Sequence, residues 1–202
     1  MHNEQKFAIM FNMENATKLY HVSKTPNLKE IEPRVSKHGI PYVYATTNVV
    51  FALLFGSSNS HGDLDGKMGI KHSIVQFIEA FPNSFKERFC HQTCYIYEVD
   101  PTTFEAGKTD FRNEVVSSVP VKVLGCQKID DLYLHFQSLI NKNEFCLIEF
   151  KNTQKYQAMI DEHIKKTIQR FDILRSTNSD GYKFCKQHFP HLVNELNNNK
   201  TN

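Results

Sequence analysis

With 202 residues, 40% of them hydrophobic, the chain can close one core, or one core with an appendage. Its 24 Lys and Arg against 22 Asp and Glu leave a formal charge of only +2, which argues against a dedicated nucleic-acid binder but not against a small basic pocket for a phosphorylated ligand. Five cysteines at irregular spacing, Cys90, Cys94, Cys126, Cys146 and Cys185, do not read as a disulfide framework, so reduced, mostly buried thiols in a cytoplasmic protein are expected. The apolar run Phe7 to Met10 is too short for a signal-peptide core, and no later stretch approaches the roughly 20 apolar residues of a membrane span. No membrane association is expected.

In chain order, Lys18 to Val22 reads as a short strand closed by Ser23 and the turn Lys24-Thr25-Pro26-Asn27. Pro41 to Thr46 reads as a second strand. Thr47 or Asn48 can cap a helix from Val49 to Phe55, ended by Gly56. Ser57 to Gly69, polar and Gly-rich, reads as a mobile loop. Thr93 to Val99 alternates and stops at Asp100-Pro101, a third strand. Two further short strands, Glu114 to Ser117 and Val121 to Leu124, flank Ser118-Val119-Pro120.

Near residue 127 the period-two pattern gives way to helical spacing. Asp130 to Asn141 places Leu132, Phe136, Leu139 and Ile140 on one face. Thr153 to Leu174 carries a stripe through Tyr156, Met159, Ile160, Ile164, Ile168 and Phe171. A last helix is capped by Ser179 or Asp180 and broken or bent at Pro190. Between the first two, Cys146 to Phe150 could be a strand or a helix start, and an added strand is preferred. The Asn-rich end, residues 197–202, reads as a frayed tail.

Three features of the first half share an order. Leu19-Tyr20-His21-Val22-Ser23 puts a histidine on a short strand before a small hydroxyl residue. Tyr44 and Phe55 are aromatics separated by ten residues across a strand-to-helix turn. Glu114 opens a late strand. Taken alone, each has a plain structural explanation: a satisfied strand histidine, two core aromatics, a solvated carboxylate. Their joint order, His then Tyr-x10-aromatic then Glu, resembles the His-Tyr-Glu branch of the ADP-ribosyltransferase superfamily, over roughly residues 17 to 126.

That resemblance implies an α+β fold, a split, mostly antiparallel sheet of ADP-ribosyltransferase type. It would be formed by residues 1–127, with residues 128–202 as a helical C-terminal extension packed on the same domain. It implies NAD as substrate and cleavage of the nicotinamide–ribose bond, by a transferase or an NAD glycohydrolase. Such cleavage passes through an oxocarbenium-like state. The family roles fall on His21 for the adenosine-side ribose, on Tyr44 and Phe55 for stacking on nicotinamide, and on Glu114 for the carboxylate at the nicotinamide ribose. His21, Tyr44 and Glu114 are thus the catalytic set. Ser23, Thr46 and Thr47 join His21, Tyr44 and Phe55 as cofactor-binding positions.

Two departures stand out. Phe55 replaces a tyrosine of the family, so a phenol hydrogen bond is lost. Arg112 stands two residues before Glu114, where arginine-directed transferases carry Glu or Gln. The acceptor therefore stays open, nucleic acid included. The rival is a catalytically silent module of the same fold that binds a nucleotide or a partner; an RNA 2′-phosphotransferase shares the fold but would want a basic cluster that is not evident. Cys90-His91-x-x-Cys94 lacks the partner cluster of a zinc site, and no metal is expected.

Overall fold

The computed structural model describes residues 18–35, 39–109 and 111–198; the apolar run Phe7 to Met10 and residues 199–202 of the tail lie outside them. In chain order the elements are β1 (Leu19–Ser23), β2 (Glu30–Ile31), β3 (Arg34–Val35), β4 (Pro41–Ala45), α1 (Val49–Leu53), β5 (Gly66–Lys71), β6 (Ile74–Glu79) and α2 (Ser84–Phe89). They continue with β7 (Cys94–Val99), β8 (Glu105–Ala106), β9 (Val115–Ser117), β10 (Val121–Ile129), α3 (Leu132–Asn141), β11 (Phe145–Ile148), α4 (Gln157–Arg170), α5 (Asp180–His188) and α6 (Pro190–Asn198). The protein is mixed α and β, and among the described residues its strand pairs are antiparallel except for β11 beside β6. Among the described residues no helix is long and apolar enough to cross a membrane.

The chain forms two compact units, each from two segments. One comprises residues up to Ser58 together with Phe89–Lys142, the other Asn59–Arg88 together with Asn143–Asn202. Residue 127, where the periodicity changes, falls inside β10.

The first unit holds two four-stranded sheets, β1-β7-β10-β2 and β3-β4-β9-β8. They meet at a bridge where Tyr20 N–H donates to the Thr46 carbonyl (2.8 Å) and Thr46 N–H to the Tyr20 carbonyl (3.0 Å). Alternation turns Leu19, Val43, Ala45, Tyr97, Val99, Val115 and Val121 into one shared core. Tyr97 is fully buried, yet its hydroxyl donates to the Thr25 carbonyl at 2.6 Å and accepts the Leu28 N–H at 3.3 Å, tying the turn after β1 to β7. A bulge at Leu124 interrupts the β10–β7 register and leaves that leucine 54% exposed. Past the bulge, β10 runs on to Ile129, five residues beyond the expected end. Helix α3 starts where Asp131 accepts the Leu134 N–H and buries Leu132, Phe136 and Leu139, the face expected from spacing.

Helix α1 is shorter than the expected Val49 to Phe55. Asn48 caps it through the Phe51 N–H, and it ends at Leu53, so Phe55 follows the helix rather than riding on it. Gly56 sits in close quarters: a Cβ would lie 3.0–3.1 Å from Cys94 Sγ and from methyl carbons of Leu132 and Val22, so those side chains would have to shift.

In the second unit the sheet order is β11-β6-β5. The expected mobile loop, Ser57 to Gly69, holds a 3-10 turn at Gly62–Leu64 and the first four residues of β5. β5 and β6 form a hairpin whose two-residue loop, His72-Ser73, has both φ angles positive (48° and 67°). β11 is the preferred added strand. Glu79, 5% exposed, accepts the Phe85 N–H at 3.0 Å and the Phe150 N–H at 2.8 Å, so one buried carboxylate anchors the start of α2 and the end of β11. The stripe Ile160, Ile164 and Ile168 on α4 packs with Leu192, Val193 and Leu196 of α6. The segment Thr153 to Leu174 is not one helix: 3-10 turns flank α4, and Asp172 at φ 48° ends it. Ser179 caps α5, and the break before Pro190 separates α5 from α6.

Candidate functional site

The candidate residues His21, Ser23, Tyr44, Thr46, Thr47, Phe55 and Glu114 all belong to the first unit. Five of them lie on or beside β1, β4 and β9. His21 is half-buried in β1, opposite Tyr97. Its Nδ1 lies 2.8 Å from the Tyr44 carbonyl. A carbonyl only accepts, so Nδ1 carries the proton and Nε2 is left as an acceptor in the neutral ring. Burial pushes the His21 pKa down, the Tyr44 carbonyl pulls it partly back, and the charge of Arg34 lowers it further. At neutral pH the ring is uncharged, with a fixed tautomer.

Tyr44 pairs with Val116 on β9 and Ala45 with Val115. Directly opposed residues share a face, and Val43, Ala45 and Val115 face the core. Tyr42, Tyr44 and Val116 are therefore on the other side, and the Tyr42 and Tyr44 rings meet edge to face at 6.1 Å. One step past the Ala45–Val115 pair the two chains reach Thr46 and Glu114. Glu114 precedes β9 rather than opening it, and its N–H bonds to the Phe111 carbonyl at 3.1 Å.

Thr46 is buried, with both backbone groups bonded to Tyr20 and its hydroxyl accepting the Asn48 N–H at 3.2 Å. Its role is to hold the junction of the two sheets. Thr47 is exposed. Ser23 accepts the Thr25 N–H at 3.2 Å and so shapes the turn after β1.

Phe55 is 43% exposed and belongs to a three-ring cluster: Phe51–Phe55 at 5.5 Å, Phe51–Phe111 at 5.9 Å and Phe55–Phe111 at 6.2 Å, all edge to face. The structure thus joins His21 to Tyr44 directly, and Phe55 to Glu114 through Phe111.

Two residues escaped the sequence reading. Phe111 lies in a polar loop with no periodicity to flag it; the only available signal is a lone aromatic close before Glu114. Arg34 lies on the two-residue strand β3, opposite Tyr42, and its influence on His21 depends on a pairing no local pattern encodes. Among the cysteines, burial pushes the Cys94 thiol up to about 12 and that of Cys185 up to about 11, so neither is a thiolate nucleophile at neutral pH. His91 Nδ1 lies 3.3 Å from Asp131, and among the described residues no group of three or more His, Cys, Asp or Glu side chains could hold a metal ion.

Comparison with protein-family models, with curated proteins and with solved structures finds no match for this chain.

Proposed function

We propose that the first unit binds NAD and that the protein cleaves its nicotinamide–ribose bond, as an ADP-ribosyltransferase or an NAD glycohydrolase of ADP-ribosyltransferase type, acting in the cytoplasm. The observation that carries this reading is the 2.8 Å contact of His21 Nδ1 with the Tyr44 carbonyl. It couples the first two members of the His-Tyr-Glu order across the meeting of β1 and β4 and leaves a neutral Nε2 to accept from a ribose hydroxyl. The Tyr44 ring, half-buried on the face opposite Val43 and Ala45, supplies a stacking surface for nicotinamide. Glu114, one step past the β4–β9 ladder, supplies the negative charge that favours a developing oxocarbenium ion.

Arg112 is exposed in the turn before Glu114, so an arginine acceptor would meet a like charge there. Water, an anionic side chain or a nucleic acid suits the position better. The packing of Phe55 against Phe51 and Phe111 favours a second reading, in which the cluster serves the fold and the unit binds a nucleotide or a partner without turnover. Nicotinamide release from NAD by the purified chain separates the two. Release that Glu114→Gln suppresses supports the enzyme. NAD binding with no release supports the silent module, and absence of binding removes both.

A further inference from the structure

In the second unit β5 is an outer strand, paired with β6 along one side. Among the described residues no backbone hydrogen bond reaches its other edge. Such a row of open N–H and C=O groups can take up a further strand. The hairpin register pairs Lys67 with Ile78, Gly69 with Gln76 and Lys71 with Ile74, so these six side-chain positions share one face.

At one end of that face Ile78 packs with Ile160 and Ile164 of α4. Toward the hairpin loop the cover thins, from buried Ile78 through half-buried Gln76 to exposed Ile74. There a groove of about 210 Å³ opens beside Tyr156 and Met159. Gly69 forms its floor, where an added Cβ would meet nothing within 4 Å. The volume falls below the roughly 300–1,000 Å³ of small-molecule sites, so it suits one side chain of a longer chain rather than a free ligand.

The charge of the groove is one-sided. Lys67 and Lys71 line it, Lys155 Nζ lies 4.9 Å from the centroid of the Tyr156 ring, and no carboxylate is among the lining residues. Among the described residues none of these three lysines forms an ion pair. Lysines on an edge ward off self-pairing. Two β5 strands meeting antiparallel about Gly69 would set Lys67 against Lys71 twice, which disfavours a second copy and favours a strand that carries carboxylates.

We propose that the β5 edge docks an acidic, extended segment of a partner protein. The segment adds as a fourth strand, with an apolar side chain over Gly69 and carboxylates two residues to either side, beside Lys67 and Lys71. The backbone ladder supplies affinity, and the alternation of acidic and apolar side chains supplies specificity. The inference does not depend on the function proposed for the first unit.

The test is fluorescence anisotropy of the full chain with the labelled peptide Thr-Glu-Thr-Leu-Thr-Glu-Thr, its counterpart with lysine in place of glutamate, and oligothymidylate. The glutamate peptide binds saturably, and the lysine peptide binds at least about tenfold more weakly. Bound glutamate peptide slows amide hydrogen exchange within β5. Lys67→Glu combined with Lys71→Glu reverses the preference between the two peptides. Gly69→Val fills the floor of the groove and weakens binding about tenfold while the melting transition is kept. The proposal is overturned by no saturable binding of the glutamate peptide up to about 1 mM, by equal binding of the two peptides, or by unchanged exchange in β5. Oligothymidylate binding as tightly as the glutamate peptide also overturns it, in favour of a general polyanion surface. If Gly69→Val disturbs the fold, the charge reversal still decides the claim.

Discussion

His21 offers a way to separate fold from function at one position. In His21→Ala the Tyr44 carbonyl loses its 2.8 Å donor and the half-buried ring is removed. A neutral hydrogen bond contributes about 0.5–1.5 kcal/mol, and with the lost packing the expected destabilisation is about 1–2 kcal/mol. At about 2–4 °C per kcal/mol for a chain of this size, the melting temperature falls by roughly 2–8 °C. His21→Asn behaves differently. Its side-chain amide nitrogen can occupy the place of Nδ1 and donate to the same carbonyl, while nothing replaces Nε2. This variant should melt within about 0.5 kcal/mol of wild type, the range of a neutral substitution. Its affinity for NAD, measured by calorimetry, should nonetheless fall about threefold to tenfold, the worth of one neutral hydrogen bond. NAD binding by His21→Asn equal to wild type would refute the role of Nε2. A melting temperature as low as that of His21→Ala would refute the carbonyl contact.

Tyr44→Ala should weaken NAD binding by about 1–3 kcal/mol in calorimetry, the worth of a stacking partner on a base, and equal affinity counts against the site. Glu114→Gln should cut nicotinamide release about a hundredfold or more with NAD affinity unchanged, because its charge acts in the transition state. Glu98→Gln and Glu105→Gln, whose carboxylates form surface pairs with Lys18 and Lys108, serve as rate controls, and equal rates for all three end the catalytic assignment. Because the folded pKa of His21 is lowered, the unfolded chain takes up the proton first. The stability held by the neutral ring is therefore complete above the ordinary value near 6.5 and is lost as pH falls from there toward the lower folded value. Urea midpoints at about pH 7.5 and 5.5 should drop further in wild type than in His21→Asn, and parallel drops would contradict the burial of this ring. Gly66→Ala should cost about 3 kcal/mol or more, read as a fall in urea midpoint, because its Cβ would sit 2.3 Å from the Ile78 carbonyl; a near-wild-type midpoint would contradict the β5–β6 register.

What was legible in the sequence depended on local signals. β1, β4 and β7 alternate and end at turn residues, α3 shows its apolar spacing, and α5 announces its cap at Ser179. The β5–β6 hairpin did not, because His72 and Ser73 occupy a positive-φ turn that glycine or asparagine ordinarily marks. With that turn hidden, the glycines at 62, 66 and 69 suggested a loop, whereas Gly66 is there because β6 leaves no room for a side chain. The pair β2–β10 joins residues far apart in sequence, and both β2 and β3 are two-residue strands, too short for any periodicity. The candidate site divides in the same way. His21 and Tyr44 sit on readable strands and Glu114 just before one, while Arg34 and Phe111 reach the site through pairings and ring contacts that only the folded chain supplies.

The Phe111–Glu114 turn bears most directly on enzyme against silent module. The Glu114 N–H is bonded to the Phe111 carbonyl, and the Phe111 ring packs on Phe51 and Phe55. Any shift of that ring carries the turn, so the position of the carboxylate is coupled to the aromatic cluster as well as to the β4–β9 ladder. A ligand ring stacked on exposed Phe55 would press on the same cluster. Catalysis by electrostatic stabilisation needs the charge fixed before the bond breaks. Under the proposed enzymatic reading, the cluster would be a second support of the backbone at Glu114, whose first support is β9. On this argument, packing of Phe55 against its neighbours and the proposed turnover are compatible, because a phenylalanine at position 55 keeps the ring contacts with Phe51 and Phe111 that steady the turn before Glu114.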